Sequence, residues 1–230
     1  MSTKSVPRKL TLLLQLILLA GVAGSIWEKQ WLNAVITSGI IIITLFPVLL
    51  ARKFHVHVPS IFQLMAIGFV FASIFLGEIH GYYAKYWWWD IALHTTSGFL
   101  LGTIGFLLVY LLNENDHIHM QMQPGFVALF AFMFALGIGT LWEIFEFAMD
   151  QLFGMNMQKP MLNDDSGLTD TMYDLIVDAI GALVISVLGY GYLKKAQAKS
   201  FLGRWIGAFI NKNPRLFKRH KMPGPPRLPD

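Results

Sequence analysis

The sequence predicts an all-α, polytopic membrane protein with about six transmembrane helices packed in a bundle. Two observations lead to this fold class. First, 55% of the 230 residues are hydrophobic and the mean hydropathy is +0.52, which is too apolar for an ordinary soluble domain of this length. Second, six separate apolar segments have roughly the 17–25 residues that a helix needs to cross a bilayer. Cysteine is absent, which excludes disulfides and thiolate metal sites.

The six predicted spans lie within residues 1–194, which we interpret as one transmembrane domain. The first span follows Lys4, Arg8 and Lys9, a combination also found in signal peptides, but we expect it to be retained because five further spans follow. Residues 195–230 are expected to form a basic cytoplasmic tail, partly disordered, because they are rich in Lys, Arg and finally Pro. The predicted spans are residues 10–27, 31–51, 61–82, 91–112, 125–153 and 171–193.

The distribution of Lys and Arg predicts a bacterial inner-membrane protein with both termini in the cytoplasm. With this orientation, the outer side holds only Lys29, Lys85 and Lys159 of the 18 basic residues. The tail either follows the positive-inside rule alone or also contacts anionic lipid headgroups. We expect the lipid bilayer as the partner of this chain, and no nucleic acid, while protein partners stay open.

The acidic residues are concentrated on the opposite, outer side of the membrane. Only Glu114, Asp116 and Asp230 of the 14 acidic residues fall on the predicted cytoplasmic side. Near the outer interface, three helices carry acids at helical spacing, so each set lies on one face of its helix. These sets are Asp90 with His94, Glu143 with Glu146 and Asp150, and Asp170 with Asp174 and Asp178.

Depth distinguishes the members of these sets. Asp150 and Asp170 lie at span ends, where we interpret them as interfacial residues, Asp170 with an ordinary helix-capping role. At 1.5 Å rise per residue, Glu143 lies about 10 Å from Asp150, and Asp178 about 12 Å from Asp170. Antiparallel packing of the fifth and sixth spans is then expected to bring Glu143, Asp178 and His94 to a similar depth.

Carboxylates at that depth need a neutralising partner. Each ionised carboxylate near the bilayer centre costs at least about 2.5–3.5 kcal/mol, and close neighbours repel one another. No Lys or Arg lies within the six spans, so a bound cation or shared protons are the stronger explanations. Oxygen ligands with one imidazole suit Mg²⁺, Mn²⁺, Fe²⁺ or Zn²⁺. The predicted metal ligands are His94, Glu143, Glu146, Asp174 and Asp178.

Motifs of known enzyme classes are missing from the sequence. It contains no GxSxG, no Walker A motif and no HExxH. The acids in "DTMYDLIVD" are spaced as in lipid-active membrane enzymes that hold Mg²⁺, but the glycine, alanine and arginine pattern of the CDP-alcohol phosphotransferases is absent around them. No catalytic residue is assigned.

The motifs "YYAKYWWWDIALHTTSGFLLG", "GIGTLWEIFEFAMD" and "LTDTMYDLIVDAIGALV" resemble those of the YjdF-like bacterial inner-membrane proteins. In that family an aspartate precedes a histidine by four residues, paired glutamates close the next helix, and a D-x-x-x-D run opens the last. The matching residues here are Asp90 and His94, Glu143 and Glu146, and Asp170, Asp174 and Asp178. A more distant likeness connects the same D-x-x-x-H opening to the VanZ-like proteins. The resemblance implies a polytopic inner-membrane protein and no particular activity.

Three functional hypotheses stay open at the level of sequence. The preferred one is a divalent-cation site that serves an enzyme acting on a lipid or its headgroup, with the metal polarising a phosphoryl or carbonyl oxygen. The second is a proton- or cation-coupled transporter. The third is a structural or assembly protein whose acids form a wetted outer rim.

Overall fold

The computed structural model describes residues 5–31, 33–42, 58–113, 122–195 and 201–213. All the longer elements within these ranges are helices. Within them there is no strand, only an isolated bridge between Met161 and Asp164. The helix Ser60–Val70 continues directly into a π-helix, Phe71–Ile79. A π-helix has wider turns than an α-helix and is often found beside functional sites. The helices are α1 Ser5–Trp27, α2 Asn33–Ile42, α3 Ser60–Val70, α4 Tyr82–Lys85, α5 Trp89–Asn113, α6 Pro124–Phe153, α7 Leu168–Lys195 and α8 Phe201–Lys212.

Five of these helical segments are long and apolar enough to cross a membrane. This confirms the predicted all-α, polytopic membrane fold. The second predicted span, residues 31–51, is described in part: α2 accounts for Asn33–Ile42, and residues 43–57 lie outside the described ranges. The five segments are Lys9–Trp27, Ser60–Ile79, Trp89–Tyr110, Pro124–Phe153 and Leu168–Lys194.

The core of the bundle consists of α5, α6 and α7, each of which packs extensively against the other two. Glycines make this close approach possible, as is common between membrane helices. A Cβ atom at Gly98 would meet the backbone carbonyl of Asp178, and one at Gly181 would meet the backbone carbonyl of Thr95. Gly102 packs in the same way against Ile185 and Ala182. The backbones of α5 and α7 therefore touch at the depth of Asp178.

Two apolar clusters pack the remaining helices: one joins α1 and α2 to the π-helix, and the other joins α8 to this core. Leu18 of α1, Ile40 of α2 and Phe75 of the π-helix are buried together. At the other end of the bundle, Ile206 of α8 is buried with a group of core residues from α5, α6 and α7. The Trp205 ring also lies 5.3 Å from that of Phe62. The first part of the predicted tail thus packs on the bundle, and residues 214–230 lie outside the described ranges.

Candidate functional site

His94 lies at the centre of a cluster of carboxylates contributed by α5, α6 and α7. Asp90 precedes it by one helical turn on α5, and His94 Nε2 lies 3.6 Å from Asp90 Oδ1. The same nitrogen lies 3.7 Å from Asp174 Oδ2 on α7. One ligand atom from each of these three residues falls within 4.8 Å of the other two, a separation that a single metal ion can span. Asp90, His94 and Asp174 are called the triad below.

The other ring nitrogen of His94 faces a second pair of acids. Nδ1 lies 3.4 Å from Asp178 Oδ2, within hydrogen-bond distance, and 3.9 Å from Glu143 Oε1. Asp178 is itself held by a short hydrogen bond donated by the Ser97 hydroxyl, one turn beyond His94 on α5. When Nδ1–H donates to Asp178, the lone pair of Nε2 points toward Asp90 and Asp174. A carboxylate that orients a histidine in this way is common beside metal ligands.

Several of these carboxylates are buried without hydrogen-bond donors. Glu143, Asp174 and Asp178 are 3%, 2% and 1% exposed, so they are inside the bundle and not on a wetted rim. Both oxygens of Glu143 and Oδ2 of Asp174 have no hydrogen-bond donor among the described residues. A buried polar atom left in this state costs roughly 1–3 kcal/mol, and more when it is charged. The cluster therefore holds more carboxylates than His94, the basic side chain at its centre, can neutralise.

On α6, helical periodicity places the acids on one face and the exposed apolar side chains on the other. Glu143 and Glu146 are buried, whereas Leu141, Ile144 and Phe147 are 61%, 57% and 53% exposed. Glu146 accepts a hydrogen bond from Trp142 Nε1 at 2.9 Å. An apolar exposed face is what a bilayer requires, so α6 turns its acids toward α5 and α7 and its apolar side chains outward.

A cavity of about 450 Å³ opens beside the cluster. Its walls come from α3 and the π-helix on one side and from α5 and α6 on the other. Asp90, His94, Glu146 and Asp178 line its ionic part. The volume is within the range of roughly 300–1,000 Å³ that small-molecule sites usually have.

The chain matches the family described as "Predicted membrane protein (DUF2238)" over residues 10–195. The chain belongs to this family. The matched range contains α1 to α7 almost in full and every acid of the cluster, and the assignment is consistent with the YjdF-like resemblance of the motifs.

One similar protein is an "Uncharacterized protein" of Thermotoga maritima, 32% identical over 136 residues. That alignment covers 59% of this chain and 65% of the relative, so the chain spans just under two thirds of the relative's length. No solved structure matches.

The structure brings three of the five predicted ligands around the imidazole of a fourth, His94. His94 and Asp174 are members of the triad, and Asp178 and Glu143 lie at the other nitrogen. Glu146 lies apart from them, on the wall of the cavity. Glu143, Asp178 and His94 lie at one depth, as expected for antiparallel packing of the fifth and sixth spans.

Asp90 is a candidate ligand that is absent from the metal set predicted from the sequence. An aspartate at the start of a helix is commonly a capping residue, which is a simpler explanation at the level of sequence. The signal was present, because Asp90 and His94 are four residues apart and so share a helix face. What the sequence does not show is that Asp90 lies with Asp174, a predicted ligand, at the same nitrogen of His94.

The loop between α6 and α7 is tied down by the two aspartates that were expected to be simple interfacial residues. The oxygens of Asp150 accept hydrogen bonds from the backbone N–H groups of Met157 and Gln158, at 2.7 and 2.9 Å. Asp170 Oδ2 accepts one from the backbone N–H of Lys159 at 2.7 Å. Asp170 is 6% exposed, because the loop folds back over the end of α7 and covers it.

Two groups outside the spans, Asp164 and Tyr83, have pKa values shifted from their usual range by neighbouring groups and burial. Hydrogen bonds from Ser166 and Thr169 hold the pKa of the Asp164 carboxyl below its usual range, so Asp164 stays ionised and anchors the start of α7. Burial, reinforced by the nearby Asp90 carboxylate, raises the pKa of the Tyr83 phenol. Tyr83 lines the cavity and therefore presents a neutral hydroxyl to it.

Proposed function

We propose that the chain is an inner-membrane protein that binds a divalent cation at the carboxylate–histidine cluster and uses it to act on a lipid or its headgroup. One observation carries the proposal: Asp174 Oδ2 is buried without a hydrogen-bond donor, at a point where it faces His94 Nε2 and Asp90. A cation at this point satisfies the orphaned oxygen and offsets the repulsion among the acids.

The five predicted residues and Asp90 then have different roles, which follow from their positions. Asp90, His94 and Asp174 supply the ligand atoms, and Asp178 orients the imidazole through Nδ1. Glu143 adds a buried negative charge 3.9 Å from His94, and Glu146 lies on the cavity wall, where a substrate or a metal-bound water would meet it.

The donor set favours some cations over others. Imidazole suits Fe²⁺ and Zn²⁺, and carboxylates suit Mg²⁺ and Mn²⁺, so a mixed set of two carboxylates and one imidazole favours Mn²⁺, Fe²⁺ or Zn²⁺ over Mg²⁺. Such a cation supplies Lewis acidity, which polarises a phosphoryl or carbonyl oxygen of a bound molecule.

The membrane setting supports a lipid as the molecule acted on. The cluster lies between membrane-spanning helices, and the cavity beside it is bounded on its inner part by apolar residues such as Phe69, Ile74 and Leu101. The likeness to the YjdF-like proteins supports the placement in the inner membrane, and the distribution of Lys and Arg supports a cluster toward the outer face.

The test is metal binding by purified protein in detergent. We expect wild type to bind a stoichiometric amount of Mn²⁺, measured by the loss of the free Mn²⁺ electron paramagnetic resonance signal and by elemental analysis. Asp174→Asn and His94→Ala each remove a ligand and are expected to abolish measurable Mn²⁺ binding. Asp165→Asn, which removes an exposed acid of the α6–α7 loop, is the matched control and should bind like wild type.

Background Mn²⁺, Fe²⁺ and Zn²⁺ content in wild type, equal to that of Asp174→Asn, would contradict the proposal. Shared protons would then be what neutralises the cluster. Loading followed by movement of the cation into proteoliposomes would assign the site to transport instead of to chemistry on a lipid.

A further inference from the structure

The cavity beside the cluster changes character with depth. Near the outer ends of the helices its walls carry Glu78, Asp90 and Glu146, and farther in they carry Phe69, Leu101 and Ile138. At 1.5 Å per residue, Leu101 lies about 16 Å along α5 from Asp90, and Ile138 about 12 Å along α6 from Glu146. One end of the cavity is therefore ionic and the other end apolar.

Lys159 places a positive charge at the ionic end. It is the only Lys or Arg among the described residues that line the cavity. Its backbone is held by Asp170, as are its two predecessors by Asp150, so the side chain starts from a fixed point. The loop thus places one ammonium group on a cavity wall whose other charged side chains are acidic.

The ammonium group of Lys159 is only partly neutralised by the protein. Nζ donates to the Asn156 carbonyl at 2.6 Å and lies 3.8 Å from Glu78 Oε1. Glu78 is on the solvent side, with its side chain 55% exposed, and the Lys159 side chain is 31% exposed. An exposed pair of this kind is worth roughly 0–1 kcal/mol, so Lys159 can exchange Glu78 for a stronger anion.

We infer that the cavity binds a phospholipid, with its phosphate between Lys159 and the cation of the triad and an acyl chain along the apolar walls of α3, α5 and α6. The inference rests on the proposed function, because an anionic phosphate enters this acidic wall only when the triad holds its cation. A phosphate oxygen is a good ligand for Mn²⁺ and a strong hydrogen-bond acceptor for an ammonium group. The apolar end favours a ligand that also carries an acyl chain over a soluble phosphate.

The experiment compares three probes by native mass spectrometry on detergent-purified, Mn²⁺-loaded protein. Phosphatidic acid carries both the phosphate and the chains, diacylglycerol with the same chains lacks the phosphate, and glycerol 3-phosphate lacks the chains. We expect phosphatidic acid to bind at least about tenfold more tightly than either of the other two.

Lys159→Gln tests the residue. It should weaken phosphatidic acid binding by about tenfold and leave diacylglycerol binding unchanged, since a charged hydrogen bond is lost and the apolar walls are intact. Lys159→Arg should retain the affinity, which keeps the test informative if the glutamine variant is poorly folded. Lys85→Gln is the matched control, because Lys85 is an exposed lysine of α4 that does not line the cavity.

The outcomes separate this inference from the proposed function. Wild-type Mn²⁺ uptake by Lys159→Gln together with unchanged phosphatidic acid binding would overturn the phospholipid site and leave the metal site standing. Equal binding of phosphatidic acid and diacylglycerol would also overturn it, as would glycerol 3-phosphate binding as tightly as phosphatidic acid. Absence of Mn²⁺ uptake by wild type, measured without lipid, would remove the proposed function itself.

Discussion

At the scale of single residues, His94 organises the site because its two ring nitrogens meet different partners. Nδ1 is within hydrogen-bond distance of Asp178, which Ser97 holds, and Nε2 faces Asp90 and Asp174. An imidazole can donate from one nitrogen and offer a lone pair from the other, so the Asp178 contact selects the tautomer that leaves Nε2 free to bind a cation. The three aspartates therefore have unequal positions around the imidazole, with Asp178 at Nδ1 and the other two at Nε2.

This inequality gives a prediction for paired variants. Asp174→Asn removes a ligand charge and should abolish measurable Mn²⁺ binding, whereas Asp178→Asn should weaken it by about 10–100-fold, as is usual for partners that orient a ligand. Mn²⁺ titration followed by electron paramagnetic resonance measures both, with unfolding in detergent as the check on fold. Equal losses in the two variants would show that Asp178 is a ligand itself and not an orienting residue.

At the scale of helices, the contact between α5 and α7 sets the geometry of the site. Gly98 lies against the backbone carbonyl of Asp178, and Gly181 lies against that of Thr95. Asp174 and Asp178 can reach an imidazole on α5 because no side chain separates the two backbones at this level. The same contact explains why Gly139 of α6 lies beside the Asp178 carboxylate, where a Cβ atom has no room.

Gly98→Ala should therefore separate α5 from α7 and weaken both the fold and the metal site. Overpacking of this kind costs typically about 1–3 kcal/mol, because a backbone carbonyl cannot rotate away as a side chain can. Unfolding by SDS titration in mild detergent, with Mn²⁺ affinity on the same samples, measures the two effects. Gly191→Ala on α7 is the matched control, because a Cβ atom there has no neighbour within 4 Å. Equal stability of the two variants would contradict the close approach.

At the scale of the whole molecule, the acids and the loop that carries Lys159 gather at one end of the bundle, and the apolar cluster containing Ile206 of α8 lies at the other end. The distribution of Lys and Arg predicts that both termini are cytoplasmic. With that orientation the acidic end is expected at the outer face, where a lipid of the outer leaflet can reach it.

The orientation is testable because the chain contains no cysteine, so each introduced thiol is unique. Asp165→Cys places one on the exposed loop between α6 and α7, and Gln123→Cys places one at the opposite end of α6. A membrane-impermeant maleimide should label Asp165→Cys in intact cells and Gln123→Cys only after permeabilisation. The reverse pattern would invert the topology and place the cluster at the cytoplasmic face.

Much of the molecule follows from local properties of the chain. Segment length and hydropathy are summed over neighbouring residues, so the helical membrane fold could be predicted, and the spacing of Asp174 and Asp178 put them on one face of α7. The hydrogen-bond partners of each acid could not be predicted in the same way. Asp150 and Asp170 looked interfacial because their spacing says nothing about a loop folding back to donate hydrogen bonds to them.

What only the tertiary structure decided is which acids lie close enough to one another to share an ion. Helical periodicity gives the face of a side chain but neither the rotation of one helix against another nor the distance between their axes. Those depend on packing, here on the glycines that let α5 and α7 touch, and they place Asp90 in the triad and leave Glu146 on the cavity wall. The residue types thus predict a site of this kind, and the packing of α5 against α7 determines which residues form the triad.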